Sequence, residues 1–121
     1  MALTLDISRT DGIVVVQCSG RIVFGEEADE LRRVVLALFK ESQQIILNLA
    51  AVTYIDSSGL ETLIASFISA RNRRAEIKFA ALPASVRRVL TITRVHQLFE
   101  IYDSTEEAVK AFHSPPEAAI G

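Results

Sequence analysis

The chain has 121 residues, half of them hydrophobic, and a formal net charge of −2. That describes one domain whose core needs no metal or disulfide, and it gives the whole molecule no electrostatic case for nucleic acid or an anionic membrane. A single cysteine, Cys18, excludes an internal disulfide and fits a reducing compartment.

Leu3, Leu5 and Ile7 alternate with Thr4, Asp6 and Ser8, the pattern of a half-buried strand. Asp11-Gly12 is a hairpin turn pair, and Ile13 to Ser19 reads as a second, antiparallel strand. Cys18 lies in this apolar alternation and is expected to be a buried structural thiol. Gly20 to Gly25 reads as a loop whose Ile22, Val23 and Phe24 must either plug the core or form a contact surface. Glu26, Glu27 and Asp29 place negative charge in the first turn of a helix, where its dipole favours them. Leu31, Val34, Val35, Leu38 and Phe39 make the buried face, and Ser42-Gln43-Gln44 ends it.

Ile45 to Leu49 is an apolar run interrupted only by Asn48, expected at the centre of a sheet and buried on both faces. A second helix follows from about Ser58 to Arg71, with Leu60, Leu63, Ile64, Phe67 and Ile68 at helical spacing. Glu76 to Leu82 reads as a strand, Pro83 opens a third helix with Val86, Val89 and Leu90 inward, and Leu98 to Tyr102 is a short strand or extended segment. Ser104 with Glu107 matches a capping box and starts a last helix, which Ser114-Pro115-Pro116 stops. The expected architecture is α/β: a single domain over 1–113 with a mixed sheet of four to five strands and about four helices. Residues 114–121 are expected to be a disordered tail. The start of the chain shows no signal peptide and no stretch reaches membrane-spanning length. The expectation is a cytoplasmic protein with no membrane insertion.

The chemistry concentrates where the apolar strand hands over to the second helix, at Asp56-Ser57-Ser58-Gly59. Backbone N–H groups there lack intrahelical partners and the dipole favours negative charge. Ser58 with Glu61 fits a capping box, which makes Ser58 the expected N-cap. Ser57 then stands just outside the helix with its hydroxyl free, and Gly59 is expected to leave room beside it for another protein's backbone or a phosphoryl donor. Serines also crowd helix starts for capping alone. A phosphate on Ser57 would add about −1.5 to −2 charges. The dipole favours that by roughly 0.3–1 kcal/mol, while Asp56 and Glu61 oppose it. The fold should therefore barely respond, whereas a partner packed on the junction would respond strongly.

Ile46-Leu47-Asn48-Leu49, Val52 and Tyr54-Ile55-Asp56-Ser57-Ser58-Gly59-Leu60 resemble the signature of the STAS domain of bacterial anti-sigma factor antagonists. The similarity continues through Pro83, Val86, Arg88 and Leu90 to the Leu98–Tyr102 segment and the final helix. The resemblance implies phosphorylation at Ser57 by an anti-sigma factor serine kinase, reversal by a serine phosphatase, and binding of the kinase when Ser57 is unmodified. It implies a partner surface of Asp56, Ser57, Ser58, Gly59, Leu60, Arg21, Val23 and Phe24. Three positions depart from the family pattern. Arg21 to Phe24 replaces an acidic stretch, Arg71-Asn72-Arg73-Arg74 replaces a glycine-rich turn in which Asn72 could take the left-handed cap, and Arg94 stands where glycine is frequent.

The leading expectation is a non-enzymatic, phosphorylation-switched binding module that regulates transcription, with no cofactor, no metal and no direct contact to nucleic acid. The alternative is a non-phosphorylated STAS scaffold subunit of a transporter or signalling complex. A small hydrolase using Ser57 is disfavoured because the glycine-flanked nucleophile elbow is absent. The Arg71, Arg73, Arg74 and Arg87, Arg88, Arg94 clusters read as solvated surface. His96 and His113 are too few and too isolated for a metal site.

Overall fold

Asp11 and Gly12 both take positive φ, 52° and 81°, the twist that a two-residue hairpin turn needs. The turn folds β1 (Thr4–Thr10) back along β2 (Ile13–Ile22). There follow α1 (Glu26–Leu38), β3 (Gln44–Ile55), α2 (Ser57–Asn72), β4 (Glu76–Ala80), α3 (Ala84–Ile92), a 3-10 turn (Val95–Gln97), β5 (Ile101–Tyr102) and α4 (Thr105–His113). The structure is a computed structural model in which residues 3–114 are described. Except for Ser114, the expected tail lies outside them.

The five strands stand in the order β1-β2-β3-β4-β5. The first pair is antiparallel and the rest are parallel, so the sheet is mixed, as expected. Leu31 and Val35 of α1, Leu60 and Leu63 of α2, and Val86 and Leu90 of α3 share one core with Val14, Val16, Leu47 and Phe79 of the strands. Ala108 and Phe112 of α4 pack with Ile13, Val15 and Ile46 in a second, smaller core. The period of two along the strands sends alternate side chains to each core. Ile45 to Leu49 are all buried because β3 is central and covered on both sides.

Several boundaries differ from the sequence reading. The Gly20–Gly25 loop is shorter, because β2 runs on to Ile22. α1 stops at Leu38, and Gln44 already belongs to β3. β3 continues six residues past Leu49, with register shifts opposite Gln17/Ser19 and Gly20/Arg21. Asn48 accommodates the first: its Oδ1 accepts from the Ala50 N–H at 2.9 Å while its Nδ2 donates to Thr105 Oγ1 at 2.8 Å. Thr53 accommodates the second, its hydroxyl donating to the Gly20 carbonyl at 3.2 Å. β4 ends at Ala80 and Pro83 is the N-cap of α3. Only Ile101–Tyr102 of the last extended segment pairs. Asn72 stays helical, and the left-handed position after α2 falls to Arg74, φ 58°. Arg94 takes the left-handed conformation itself, φ 63°, where α3 gives way to the 3-10 turn. Ser104 caps α4 as expected, accepting from the Glu107 N–H at 3.1 Å.

Candidate functional site

The register places Ile22 beside Ile55 at the carboxyl ends of parallel β2 and β3. Whatever follows the two strands must therefore emerge side by side. After β2 come Val23, Phe24 and Gly25; after β3 come Asp56 and then Ser57, the first residue of α2. Two segments 32 residues apart in sequence thus meet at one rim, where the Phe24 N–H donates to Asp56 Oδ2 at 3.0 Å. One step further back, Arg21 and Tyr54 are register partners, and the Arg21 guanidinium lies 5.8 Å from the Tyr54 ring centre.

Asp56, not Ser58, is the N-cap of α2: its Oδ1 accepts from the Gly59 N–H at 2.8 Å. The reason is one of position. The first intrahelical bond runs from the Leu60 N–H to the Asp56 carbonyl at 2.9 Å, so the cap stands two residues earlier than expected. A carboxylate in that place serves the orphan N–H groups as well as a serine would. The Ser58–Glu61 capping box does not form. Ser57, expected just outside the helix, is instead inside its first turn. Ser57 is exposed, and its hydroxyl makes no hydrogen bond among the described residues. Ser58 is half-buried and its carbonyl accepts from the Thr62 hydroxyl at 3.0 Å.

Gly59 does not open space for a visitor. It is buried, and a Cβ there would come within 2.0 Å of the Ile22 carbonyl oxygen. Its missing side chain lets α2 press onto the end of β2. Leu60 is likewise buried and belongs to the core. Both residues support the surface from beneath. Above them, Val23 is half-buried and Arg21 exposed, and Phe24 is 79% and Tyr54 53% exposed. The apolar run after Gly20 therefore divides: Ile22 plugs the core and Phe24 stands in solvent.

The Phe24 N–H is the main reason that the Asp56 carboxyl lies below the usual carboxylate range; burial opposes it, and the Gly59 N–H adds to it. Asp56 is thus an anion laid across the start of α2. Tyr54, not read as a surface residue from the sequence, could have been found from its place: in a strand that alternates, it falls opposite Ile55. His96 is half-buried with Nδ1 3.3 Å from the Leu90 carbonyl, and His113 is exposed, 3.9 Å from Asp11. Among the described residues no three His, Cys, Asp or Glu side chains converge to hold a metal ion. No helix among them is long and apolar enough to cross a membrane.

The STAS domain family profile matches residues 4–108, and the chain belongs to that family. A Bordetella bronchiseptica protein, BtrV, named as a candidate anti-sigma factor antagonist, is 28% identical over 113 residues, covering 93% of this chain and 95% of that one. A solved structure of a candidate anti-sigma factor antagonist from Thermotoga maritima superposes with a TM-score of 0.81 at 24% identity, covering 88% of this chain and 92% of that one. The Bacillus cell fate determinant SpoIIAA, solved in its phosphorylated form, superposes with a TM-score of 0.71 at 15% identity, covering 90% of this chain and 99% of that one. At these identities the two structures speak for the fold alone.

Proposed function

We propose that this chain is an anti-sigma factor antagonist: a non-enzymatic module that docks an anti-sigma factor serine kinase and is released when that kinase phosphorylates Ser57. The observation that carries the reading is the Ser57 hydroxyl, exposed in the first turn of α2, one residue after the carboxylate that accepts from the Phe24 N–H. The likeness to BtrV supports the class, and SpoIIAA, of the same fold, exists in a phosphorylated form. Phosphoryl transfer to Ser57 forms a bond from Oγ to the γ-phosphorus of ATP as the bond to the bridging oxygen breaks and ADP leaves, the serine proton going to a base of the kinase. The product carries up to two further negative charges at the rim. Asp56 already lies over the same helix end, so the new charge meets repulsion there and projects toward the docked partner. Docking an apolar kinase surface on Phe24 next to that charge then costs desolvation. A serine phosphatase restores the docking form.

The test is incubation with purified candidate anti-sigma kinases and ATP, followed by mapping of the phosphorylated residue by mass spectrometry. Phosphate on Ser57 alone is expected. Phosphate on a different residue, or on none, removes the switch and leaves a non-phosphorylated scaffold as the better account.

A further inference from the structure

We infer that Asp56 is a positioning residue: by accepting the Phe24 N–H on one carboxylate oxygen and the Gly59 N–H on the other, it joins the Phe24 loop and the Ser57 helix end into one docking surface. The inference rests on the proposed function for what docks, a serine kinase presenting an apolar pocket, but its structural half stands on geometry alone.

Phe24 needs such a restraint. Its ring is 79% exposed, so side-chain packing does little to fix it. It sits in a three-residue connection, Val23 to Gly25, between β2 and α1. On one side the Val23 carbonyl accepts from the Ala28 N–H at 3.1 Å, which holds the connection to its own helix. The bond from Phe24 to Asp56 Oδ2, at 3.0 Å, ties it instead to α2. The other Asp56 oxygen is engaged at 2.8 Å with Gly59, two residues after Ser57. The Asp56 N–H in turn donates to the Ile22 carbonyl at 3.3 Å. Asp56 is therefore linked through its backbone to the residue before the loop, and through its side chain to the loop itself and to the helix start. A helix cap alone requires one acceptor oxygen; the second oxygen is spent on Phe24. A hydrogen bond to a charged acceptor is about twice as strong as a neutral one, which suits a restraint at an exposed site. A partner meeting a pre-set aromatic anchor avoids the entropic cost of ordering it.

The two duties of Asp56 can be separated. Asp56→Asn keeps one acceptor oxygen and is an equally good N-cap, but its amide group cannot accept the second N–H. Asp56→Ser offers a single short hydroxyl for the cap and guards against an asparagine that turns its oxygen toward Phe24. Amide hydrogen exchange is read residue by residue in wild type and both variants, without any partner. The expected result is at least about tenfold faster exchange at Phe24 in both variants, the size of losing one charge-assisted bond, with central β3 amides unchanged. Unaltered Phe24 exchange in both variants overturns the positioning role. The kinase affinity of Asp56→Asn, Phe24→Ala and the double variant is then compared. Asp56→Asn is expected to weaken binding about tenfold on the same scale, and to add little once Phe24 is already alanine. Fully additive losses would show that Asp56 acts apart from Phe24 and overturn the inference. Full affinity in Phe24→Ala would overturn the joined docking surface and leave the proposed function standing, whereas no binding of the kinase to wild type would overturn the proposed function while the exchange data still judge the restraint.

Discussion

A methyl group at position 59 would lie 2.0 Å from the Ile22 carbonyl oxygen and 2.7 Å from the Ile55 side chain. The first obstacle is the backbone carbonyl at the end of β2, held by the Asp56 N–H, which cannot swing aside. Gly59→Ala is therefore expected to cost about 1–3 kcal/mol, the range for overpacking, measured as a lower denaturant midpoint. Two residues earlier the demand is opposite. Ser57 is exposed, and Ser57→Ala should change stability by no more than about 0.5 kcal/mol. Asp56 gives a pH signature. Its folded carboxyl titrates below the ordinary value because Phe24 and Gly59 donate to the anion. Its contribution to stability is therefore present above the unfolded value, about pH 3.9, and disappears as pH falls through the lowered folded one. The Phe24 and Gly59 amide resonances should shift together with one midpoint below that of a free aspartate; separate midpoints would mean that the two bonds are not shared. Cys18 is fully buried, and burial pushes its thiol up to about 12. It should resist a thiol reagent in the native state and react on unfolding.

Among the elements, β4, β5 and α4 meet at a lysine. Lys78 is 3% exposed on a strand that reads as apolar, and its ammonium bonds Glu100 at 2.6 Å and lies 4.5 Å from the centre of the Phe112 ring. Removing the carboxylate leaves that charge short of its partner, so Glu100→Gln should cost about 1–3 kcal/mol. Lys78→Met, which removes the charge with similar volume, should be close to neutral. Equal losses from the two would contradict this account. At the end of α3, Arg94 holds a left-handed conformation that costs a side-chain-bearing residue roughly 1–2 kcal/mol. Arg94→Gly should raise stability by up to about 1 kcal/mol, after allowing for the greater freedom of glycine when unfolded. The elements themselves were largely legible. Asp11-Gly12, the apolar run Ile45–Leu49 and the helical spacing from Leu60 to Ile68 are local signals, and local signals survive folding. The continuation of β2 through Ile22 and of β3 through Ile55 was not legible, because both depend on pairing with each other across more than 30 residues of chain. The identity of the cap failed for a related reason. Asp, Ser and Ser stand in a row, each an acceptable N-cap, and only the bonds to Ile22 and Phe24 decide among them.

For the molecule as a whole, the arrangement separates what holds the fold from what meets a partner. Three helices seal one face of the sheet and α4 seals part of the other, while Arg21, Phe24, Tyr54 and Ser57 gather at the carboxyl ends of β2 and β3. The motif around Ser57 announced this rim in sequence; the depth at which Gly59 and Leu60 lie did not show, since a short motif carries no record of which side faces inward. Charge added at Ser57 should then alter association far more than stability. The most direct measurement is calorimetric titration of the purified kinase into Ser57→Ala and Ser57→Asp, with both variants first shown to melt within a few degrees of wild type. Retained affinity for Ser57→Ala and a loss of tenfold or more, about 1.4 kcal/mol, for Ser57→Asp is the expected result. Equal affinities for the two variants would contradict it.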